Sequence, residues 1–216
     1  VRPPVPVTVN KAGANYKSEV AHLEYSPRSA YREWLAICDA VVAAGGDALL
    51  YFEEADDPFL DHDEVHVDAD GRIAAAGNEL GHLDRVQTGR VFAANGPWIV
   101  QRGTALVAVM PHMLPHRQAE SGYFVRLVAE LATQCGLDPQ LHSNPHRWEG
   151  MADVTVVGDQ VILTHAVPGH YDEGVARQQQ RSTLAGSSFA ADAVGIGESQ
   201  RLAVELRYPH FHGDTV

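Results

Sequence analysis

Residues 202–216 read LAVELRYPHFHGDTV, an apolar run followed by a histidine and an aspartate two positions apart. We predict a strand over 202–208. Side chains two apart on a strand share a face about 6.6 Å from each other, so His212 and Asp214 can address one small polar group together. The chain stops two residues later. We therefore expect it to end inside a structural element whose remainder lies elsewhere.

The composition is that of an ordinary globular protein in which acidic residues outnumber basic ones. Of the 216 residues, 45% are apolar and 20% charged, and 28 Asp and Glu against 16 Lys and Arg give a formal charge of −12. Lys11 and Lys17 stand outside any basic run. We therefore expect neither nucleic acid nor a membrane surface as a partner, because both require clustered positive charge. Acidity is typical of a solvated surface and also suits a cationic substrate.

The two cysteines, Cys38 and Cys135, lie at apolar positions of predicted helices and form no CxxC pair. We expect buried free thiols in a reducing cytoplasm. The sequence has neither a secretory signal region nor a run of 18 apolar residues, so we predict neither export nor a membrane span. We expect a single domain over 1–216 that forms a homo-oligomer. The start at Val1 suggests a trimmed or processed polypeptide.

Two segments have the spacing of amphipathic helices. The first begins at Ser26-Pro27 and ends at Gly45-Gly46. Its apolar residues recur at i, i+3, i+4, i+7 and i+11: Tyr31, Trp34, Leu35, Cys38 and Val42. The second ends at Gly136 and has the same spacing: Phe124, Leu127, Val128, Leu131 and Cys135. Short segments follow at 48–52, which we predict as a strand, and at 139–142.

Hairpin-like pairs precede the second helix and a weaker third one over 183–194. In the first pair, 90–93 and 105–109 flank Asn95-Gly96-Pro97-Trp98; in the second, 153–157 and 160–164 flank Gly158-Asp159. A ββαβ unit thus recurs, which indicates repeated units around an axis; a plain α/β sandwich is the alternative. Residues 53–88, rich in Asp, Glu and Gly, are predicted to form a long surface excursion.

Four polar clusters occur at strand ends or in the loops after them. Carboxylates that enter a strand from a glycine-bearing turn can face a central cavity. Taken singly, Glu149 and Asp153 are typical turn and cap residues, and Asn95-Gly96 is a turn signal. The clusters are 94–98, 148–154, Arg181-Ser182 with Gly186, and 211–216.

The order of these clusters resembles the guanidino-group-modifying enzymes of the pentein fold: arginine deiminases, dimethylarginine hydrolases, arginine dihydrolases and amidinotransferases. Residues 92–98 (FAANGPW) are similar to that family's first strand end, and 149–154 (EGMADV) to its Glu-Gly-Gly-Asp-Val motif with one extra residue. Arg181-Ser182 is similar to its Arg-Thr pair. The most specific likeness is His212-Gly213-Asp214-Thr215-Val216 to its His-Leu-Asp-Thr-Val strand. The resemblance covers about residues 90–216.

The resemblance implies an α/β propeller of repeated ββαβ units in which the last repeat is absent from this chain. It implies a thiolate that attacks the guanidinium carbon, His212 as general acid and base, and Glu149 holding the imidazole or the substrate nitrogens. Asn95, Asp153, Arg181 and Asp214 would bind the substrate, with Arg181 at its carboxylate. A guanidinium is a planar cation with paired N–H donors, so carboxylates in two-point contact suit it.

Two departures from the family pattern qualify the resemblance. No cysteine follows Asp214, and we expect the nucleophile on a C-terminal segment or a second chain. Asn95 stands where deiminases have aspartate, which is similar to the dihydrolases that hydrolyse the guanidino group twice. Amidino transfer to an amine is the alternative to hydrolysis, and neither requires a cofactor.

Two further readings stay open. His210, His212 and Asp214 form a His-x-His-x-Asp pattern that also occurs in metal-dependent hydrolases, and the chain holds 12 histidines. The missing nucleophile would also suit a scaffold or binding subunit without activity.

Overall fold

The computed structural model shows a mixed α/β protein. It describes residues 24–48, 50, 62–67, 72–82, 95–113, 120–166, 182–207 and 212–213. These residues fall into two compact units, one within Val1–Ala93 and one within Ala94–Val216. In the described part of the chain, no helix has the length and apolar content needed to cross a membrane.

The unit within residues 1–93 contains a helix and an antiparallel sheet. Strand β1 (Glu24–Tyr25) leads into helix α1 (Pro27–Ala43). Strands β2 (Val65–Val67), β3 (Arg72–Ala75) and β4 (Asn78–His82) follow. The sheet order is β1-β2-β3-β4 and each pair is antiparallel.

Helix α1 begins and ends as its sequence predicts. The Ser26 hydroxyl accepts the Ser29 N–H at 3.3 Å, which satisfies one of the free amides of the first turn. Gly45 follows the helix at φ +86°, a conformation that glycine adopts without steric cost. Trp34 and Cys38 are buried, whereas Val42 is 56% exposed. The buried stripe of α1 is therefore narrower than the apolar spacing predicts.

The predicted surface excursion over 53–88 is wrong for its described part, which forms β2, β3 and β4. The strands are only three to five residues long, and charged and glycine residues obscure their alternation. Ala76 and Gly77, both at positive φ, form the turn between β3 and β4. The predicted strand at 48–52 lies mostly outside the described residues and stays a prediction.

The other unit begins with strands β5 (Trp98–Arg102) and β6 (Ala105–Met110), which pair antiparallel. Gly103 and Thr104 form the turn, with Gly103 at φ +59°. A hairpin is present, but the turn predicted at 95–98 is wrong, because the strand that pairs with β6 begins at Trp98. Asn95-Gly96 leads into β5, and Trp98 is already paired with Val109. Residues 90–93 lie outside the described part of the chain.

Helix α2 (Glu120–Cys135) connects β6 to strand β7 (Asp138–Ser143), which pairs parallel with β6. Tyr123, Phe124 and Val128 bury one side of the helix. Gly136 at φ +64° ends it as predicted. Cys135 is exposed, so the prediction that both thiols are buried is wrong for this one. Its position in the last turn lies beyond the apolar stripe that packs on the sheet.

A second sheet repeats this topology. Strand β8 (Val154–Val157) and strand β9 (Gln160–Ala166) pair antiparallel across the predicted Gly158-Asp159 turn. Helix α3 (Leu184–Ala193) then leads to strand β10 (Arg201–Leu206), which pairs parallel with β9. The orders β5-β6-β7 and β8-β9-β10 thus share one arrangement of a hairpin, a helix and a parallel strand. The described residues contain no closed propeller; the propeller and its missing last repeat stay predictions.

Both sheets contribute to one core. It is formed by buried side chains from β5, β6, β8 and β9, from α3 and the residue after it, and from the segment between β7 and β8: Trp98, Val109, Trp148, Val154, Val161, Leu163, Ala190, Ala191 and Val194. Burial of large apolar side chains is the main favourable term in folding, at roughly 25 cal/mol for each Å² removed from water. This core fixes the start of β5 beside the start of β8, and the polar residues described next lie at those two strand ends.

Candidate active site

His212 lies at the centre of a buried polar cluster. This histidine is 9% exposed. The Nδ1 atom lies 3.1 Å from Asp153 Oδ2, and Nε2 lies 3.1 Å from Asn95 Nδ2 and 3.6 Å from Glu149 Oε2. One imidazole is therefore in contact with an aspartate on one side and with an amide and a glutamate on the other.

Asp153 accepts hydrogen bonds on both carboxylate oxygens. Oδ1 accepts the Thr164 hydroxyl at 2.9 Å and the Gly213 N–H at 3.2 Å, while Oδ2 accepts the Ser182 hydroxyl and faces His212 Nδ1. A carboxylate that is 1% exposed needs such donors, because burial removes its water. Since a carboxylate only accepts, Nδ1 of His212 is the donor of their contact.

Asn95 and Glu149 lie together on the other side of His212. Glu149 is 0% exposed, and its carbonyl accepts the Asn95 Nδ2–H at 3.4 Å. Gly150 explains the close approach of the two segments. It has φ +90°, and a Cβ at this position would lie 2.0 Å from the Gly96 carbonyl oxygen. Only glycine fits there, and the Met151 N–H donates to the same oxygen at 3.2 Å.

The loop before α3 ties these segments to the second sheet. The Ser182 hydroxyl donates to Asp153 and accepts the Glu149 N–H at 3.0 Å. The Ser182 carbonyl accepts the Ala166 N–H at 3.0 Å, at the end of β9. Thr183 caps α3 by accepting the Gly186 N–H at 3.1 Å. Ser182 therefore contacts both acidic residues that flank His212.

Asp214 lies outside the described residues, so its place beside His212 stays a prediction, but the described residues His212 and Gly213 do not form part of a strand. The reason is the bond from the Gly213 N–H to Asp153, which turns the backbone toward β8. A Cβ on Gly213 would lie 2.6 Å from Thr164 Oγ1, so the segment approaches β9 closely. Strand β10 ends at Leu206, two residues before the predicted end.

Three predicted residues lie outside the described part of the chain: Arg181, His210 and Asp214. Their roles stay predictions, as does the metal-dependent alternative that requires the last two. Within the described residues, no group of three His, Cys, Asp or Glu side chains is placed to hold a metal ion.

Cys135 is not placed to act as the nucleophile. Cys135 lies three residues before Asp138, which pairs with Ala105 at the start of β6. Trp98, next to the polar cluster, pairs with Val109, which is four residues farther along β6. Four residues of strand span about 13 Å. The exposed thiol therefore lies at the opposite end of the sheet from the polar cluster.

Two residues of the cluster were not singled out as site residues from the sequence. Thr164 and Ser182 supply hydroxyl donors to Asp153. The sequence did carry a signal for Thr164, which is a buried polar residue directly after the apolar run 161–163 of β9. Ser182 was noted only as the neighbour of Arg181.

The cluster has the parts that proton transfer requires. His212 has one nitrogen held by a carboxylate and the other directed to a second set of polar groups, so Nε2 is the nitrogen available for proton exchange. The Asn95 NH₂ faces both Nε2 and the Glu149 carbonyl, so it donates to Nε2 when that nitrogen carries a lone pair. An imidazolium formed there would face a carboxylate on each side.

No protein-family model matches the sequence, and no curated protein matches it either. Solved structures do match the fold. The N-terminal domain of ArgZ, an arginine dihydrolase from the ornithine–ammonia cycle in cyanobacteria, was solved as a Cys-to-Ser mutant bound to substrate. It aligns with a TM-score of 0.56 and 14% identity over 98% of this chain and 58% of that one.

Two other structures are similar. A Cys-to-Ala mutant of AgrE in complex with L-arginine aligns with a TM-score of 0.58 and 17% identity, over 99% of this chain and 24% of AgrE. DDAH from Pseudomonas aeruginosa, a Cys-to-Ser mutant complexed with citrulline, aligns with a TM-score of 0.51 and 13% identity, over 96% and 60%. The resemblance to the pentein enzymes is confirmed at the level of the fold. This chain spans less than two thirds of each of these proteins.

Proposed function

We propose that this chain forms the acid–base and binding part of a hydrolase that acts on C–N bonds of a guanidino group. The observation that carries the proposal is the contact of one histidine with Asp153 on Nδ1 and with Asn95 and Glu149 near Nε2. The fold supports it, since the similar structures include an arginine dihydrolase and complexes with L-arginine and citrulline.

Glu149 and Asn95 are suited to a planar cation. A guanidinium presents pairs of N–H donors in one plane, which a buried carboxylate and an amide oxygen accept. Glu149 is fully buried and lies within 3.6 Å of Nε2, so a nitrogen bound to it would also be within reach of His212. Asp214 and Arg181 would complete the binding of the guanidinium and of the substrate carboxylate.

The proton steps centre on His212. A thiolate attacks the guanidinium carbon, and the C–N bond to the leaving amine breaks as that amine takes the proton from Nε2. Water then loses a proton to Nε2 and attacks the amidino-thioether carbon, which releases the thiolate and leaves a urea-type product. Asp153 keeps the other proton on Nδ1 throughout, so that Nε2 alone is the exchanging atom.

The nucleophile is proposed to be a cysteine outside this chain's described cluster, on a C-terminal segment or a second chain. With Asn95 rather than aspartate, a second round of hydrolysis is the favoured course, which converts the urea-type product and a second water into an ornithine-type amine, carbon dioxide and ammonia. An amine in place of water in the second step would make the same site an amidinotransferase.

Turnover of arginine labelled with ¹³C at the guanidino carbon tests this proposal in the complete protein. By complete protein we mean this chain together with the C-terminal segment or second chain proposed to carry the cysteine. Carbon NMR distinguishes citrulline, bicarbonate and a transferred amidino group as the fate of the label. We expect bicarbonate with two equivalents of ammonia, and loss of all turnover in His212→Ala. Citrulline as the final product would correct the number of hydrolytic steps.

Ligand binding by the 216-residue chain separates recognition from turnover. We expect arginine to bind, lysine to bind at least about tenfold more weakly because its point charge offers no planar pair of donors, and Glu149→Gln to weaken arginine binding. Equal binding of lysine and arginine would contradict a guanidinium site. A dependence of turnover on added zinc or manganese that is lost in His210→Ala would favour the metal-dependent alternative.

A further inference from the structure

Ser182 is held rigidly between the two acidic residues beside His212. It is 2% exposed, and its hydroxyl accepts the Glu149 N–H and donates to Asp153. An amide N–H only donates and a carboxylate only accepts, so the direction of both bonds is fixed. The hydroxyl proton of Ser182 therefore points at Asp153 Oδ2.

Asp153 Oδ2 is the oxygen that also meets His212 Nδ1, at 3.1 Å. Oδ1 is already occupied by Thr164 and Gly213. Together with these two donors, the Ser182 hydroxyl fixes the rotation of the carboxylate about its Cβ–Cγ bond, and with it the direction from which Oδ2 accepts the imidazole proton.

Helix capping does not account for this hydroxyl. The N-cap of α3 is Thr183, whose Oγ1 accepts the Gly186 N–H and donates to the Arg147 carbonyl. The backbone of Ser182 is held separately by the Ala166 N–H. Removing the Ser182 side-chain oxygen therefore leaves the helix start and the loop anchor in place, and removes only the bonds to Asp153 and Glu149.

We propose that Ser182 is a positioning residue that sets the tautomer of His212, with the proton on Nδ1 and the lone pair on Nε2. It also holds the backbone of Glu149, so one hydroxyl aligns the acidic residue on each side of the imidazole. Its effect on turnover rests on the proposed function; its effect on the tautomer does not.

The tautomer is measured in long-range ¹H–¹⁵N spectra of protein labelled in its histidine rings, at a pH where the spectra show His212 to be neutral. His212→Gln assigns the signal among the 12 histidines. In the wild-type protein we expect the Nδ1–H form. In Ser182→Ala we expect the fraction of the Nε2–H form to rise at least about threefold, because Asp153 Oδ2 loses one of the two donors that hold it beside Nδ1. Ser182→Thr keeps the hydroxyl and is expected to retain the wild-type tautomer.

Ser187→Ala is the matched control. Ser187 is 0% exposed, lies on α3, and donates to the Thr164 carbonyl rather than to Asp153, so its loss should leave the His212 tautomer unchanged. In the complete protein, Ser182→Ala should lower kcat about 10- to 100-fold because the histidine is misplaced, and should raise KM by a smaller factor because the Glu149 N–H loses its acceptor.

An Nε2–H tautomer of His212 in the wild-type protein overturns the inference. This test needs no variant, so the inference can be tested even if Ser182→Ala does not fold. An unchanged tautomer in Ser182→Ala, or an equal change in Ser187→Ala, overturns it as well. If the tautomer shifts as expected while no arginine is consumed by the wild-type protein, the proposed substrate is wrong and the role of Ser182 stands.

Discussion

The sheet β5–β7 and the sheet β8–β10 have the same topology, but one pair of equivalent positions holds apolar side chains in the first sheet and polar side chains in the second. In the first sheet, Trp98 lies four residues before the end of β5 and Val109 lies four residues after the start of β6. In the second sheet, Asp153 lies four residues before the end of β8 and Thr164 lies four residues after the start of β9. Trp98 is therefore equivalent to Asp153, and Val109 to Thr164. Trp98 pairs with Val109 in the apolar core, whereas Asp153 accepts a hydrogen bond from Thr164.

The difference shows that a strand end in this fold accepts either an apolar pair or a polar pair. The condition is that an apolar side chain packs on an apolar one, or that a polar group is hydrogen-bonded to its partner. At 3% and 0% exposure, Trp98 and Val109 contribute apolar burial. Asp153, at 1% exposure, is stable only because hydroxyl, amide and imidazole donors surround it. The backbone is common to both sheets, and the side chains at one position decide which sheet holds the candidate site.

The largest expected effect is that of Asp153→Asn, which changes the polar pair without changing its size. The new amide has one accepting oxygen instead of two, so it cannot serve Thr164 and Gly213 on one side and Ser182 and His212 on the other. By analogy with catalytic histidines that lose their aspartate partner, we expect kcat with the proposed guanidino substrate to fall about 10³- to 10⁴-fold.

Asp159→Asn is the control for that variant, because Asp159 is an exposed residue in the turn of the same hairpin. It should leave kcat within about twofold of wild type. Steady-state kinetics of the complete protein and circular dichroism of both variants make the comparison. Wild-type kinetics in Asp153→Asn would mean that Asp153 does not orient the histidine.

A smaller effect is expected when the two sheets exchange their partner residues. Val109→Thr buries a hydroxyl in the apolar core and should cost about 1–3 kcal/mol in free energy of unfolding. Thr164→Val removes a hydrogen bond to the Asp153 carboxylate and should cost about 1.5–3 kcal/mol. Urea unfolding, followed by hydrogen exchange of the β6 and β9 amides, measures both.

The two side chains are nearly isosteric, so a purely steric account predicts small and similar costs at both positions. Stabilisation by either change would show that the sheet concerned does not require its own kind of pair. Thr164→Ser keeps the hydroxyl and is expected to recover part of the loss at β9.

Much of the fold could be predicted because its signals are local. The spacing of apolar residues predicted α1 and α2, and glycine at positive φ marked their ends. Gly158-Asp159 marked a real hairpin. Asn95-Gly96 misled because the same dipeptide favours a tight turn in isolation, whereas here the packing of Gly150 against Gly96 holds it at the entry to β5. Strands β2–β4 were missed because each is very short.

The site could be predicted in part. Asn95, Glu149, Asp153 and His212 were candidates from the order of their motifs, and the structure brings these four together. Which residue meets which nitrogen of His212 depends on long-range packing, which no motif encodes. Thr164 and Ser182 are ordinary strand and loop residues in sequence, and only their contacts with Asp153 distinguish them.

The smallest expected effect concerns the strands that lie outermost in the two sheets. Leu202 on β10 pairs with Ile162, and Gln140 on β7 pairs with Val107, so the two residues are equivalent. Leu202 is 56% exposed, and Leu202→Gln should change the free energy of unfolding by no more than about 0.5 kcal/mol. Leu163→Gln, in the neighbouring strand at 1% exposure, is the contrast and should cost several times more because it buries an amide in the core.

Urea unfolding of the 216-residue chain and of the complete protein sharpens this last comparison. If Leu202→Gln is neutral in both, the outer strands of the two sheets are equivalent in energy as well as in register. A cost that is present only in the complete protein would mean that this face of β10 is covered there, and the two sheets would then differ in their neighbours as well as in the residues at their strand ends.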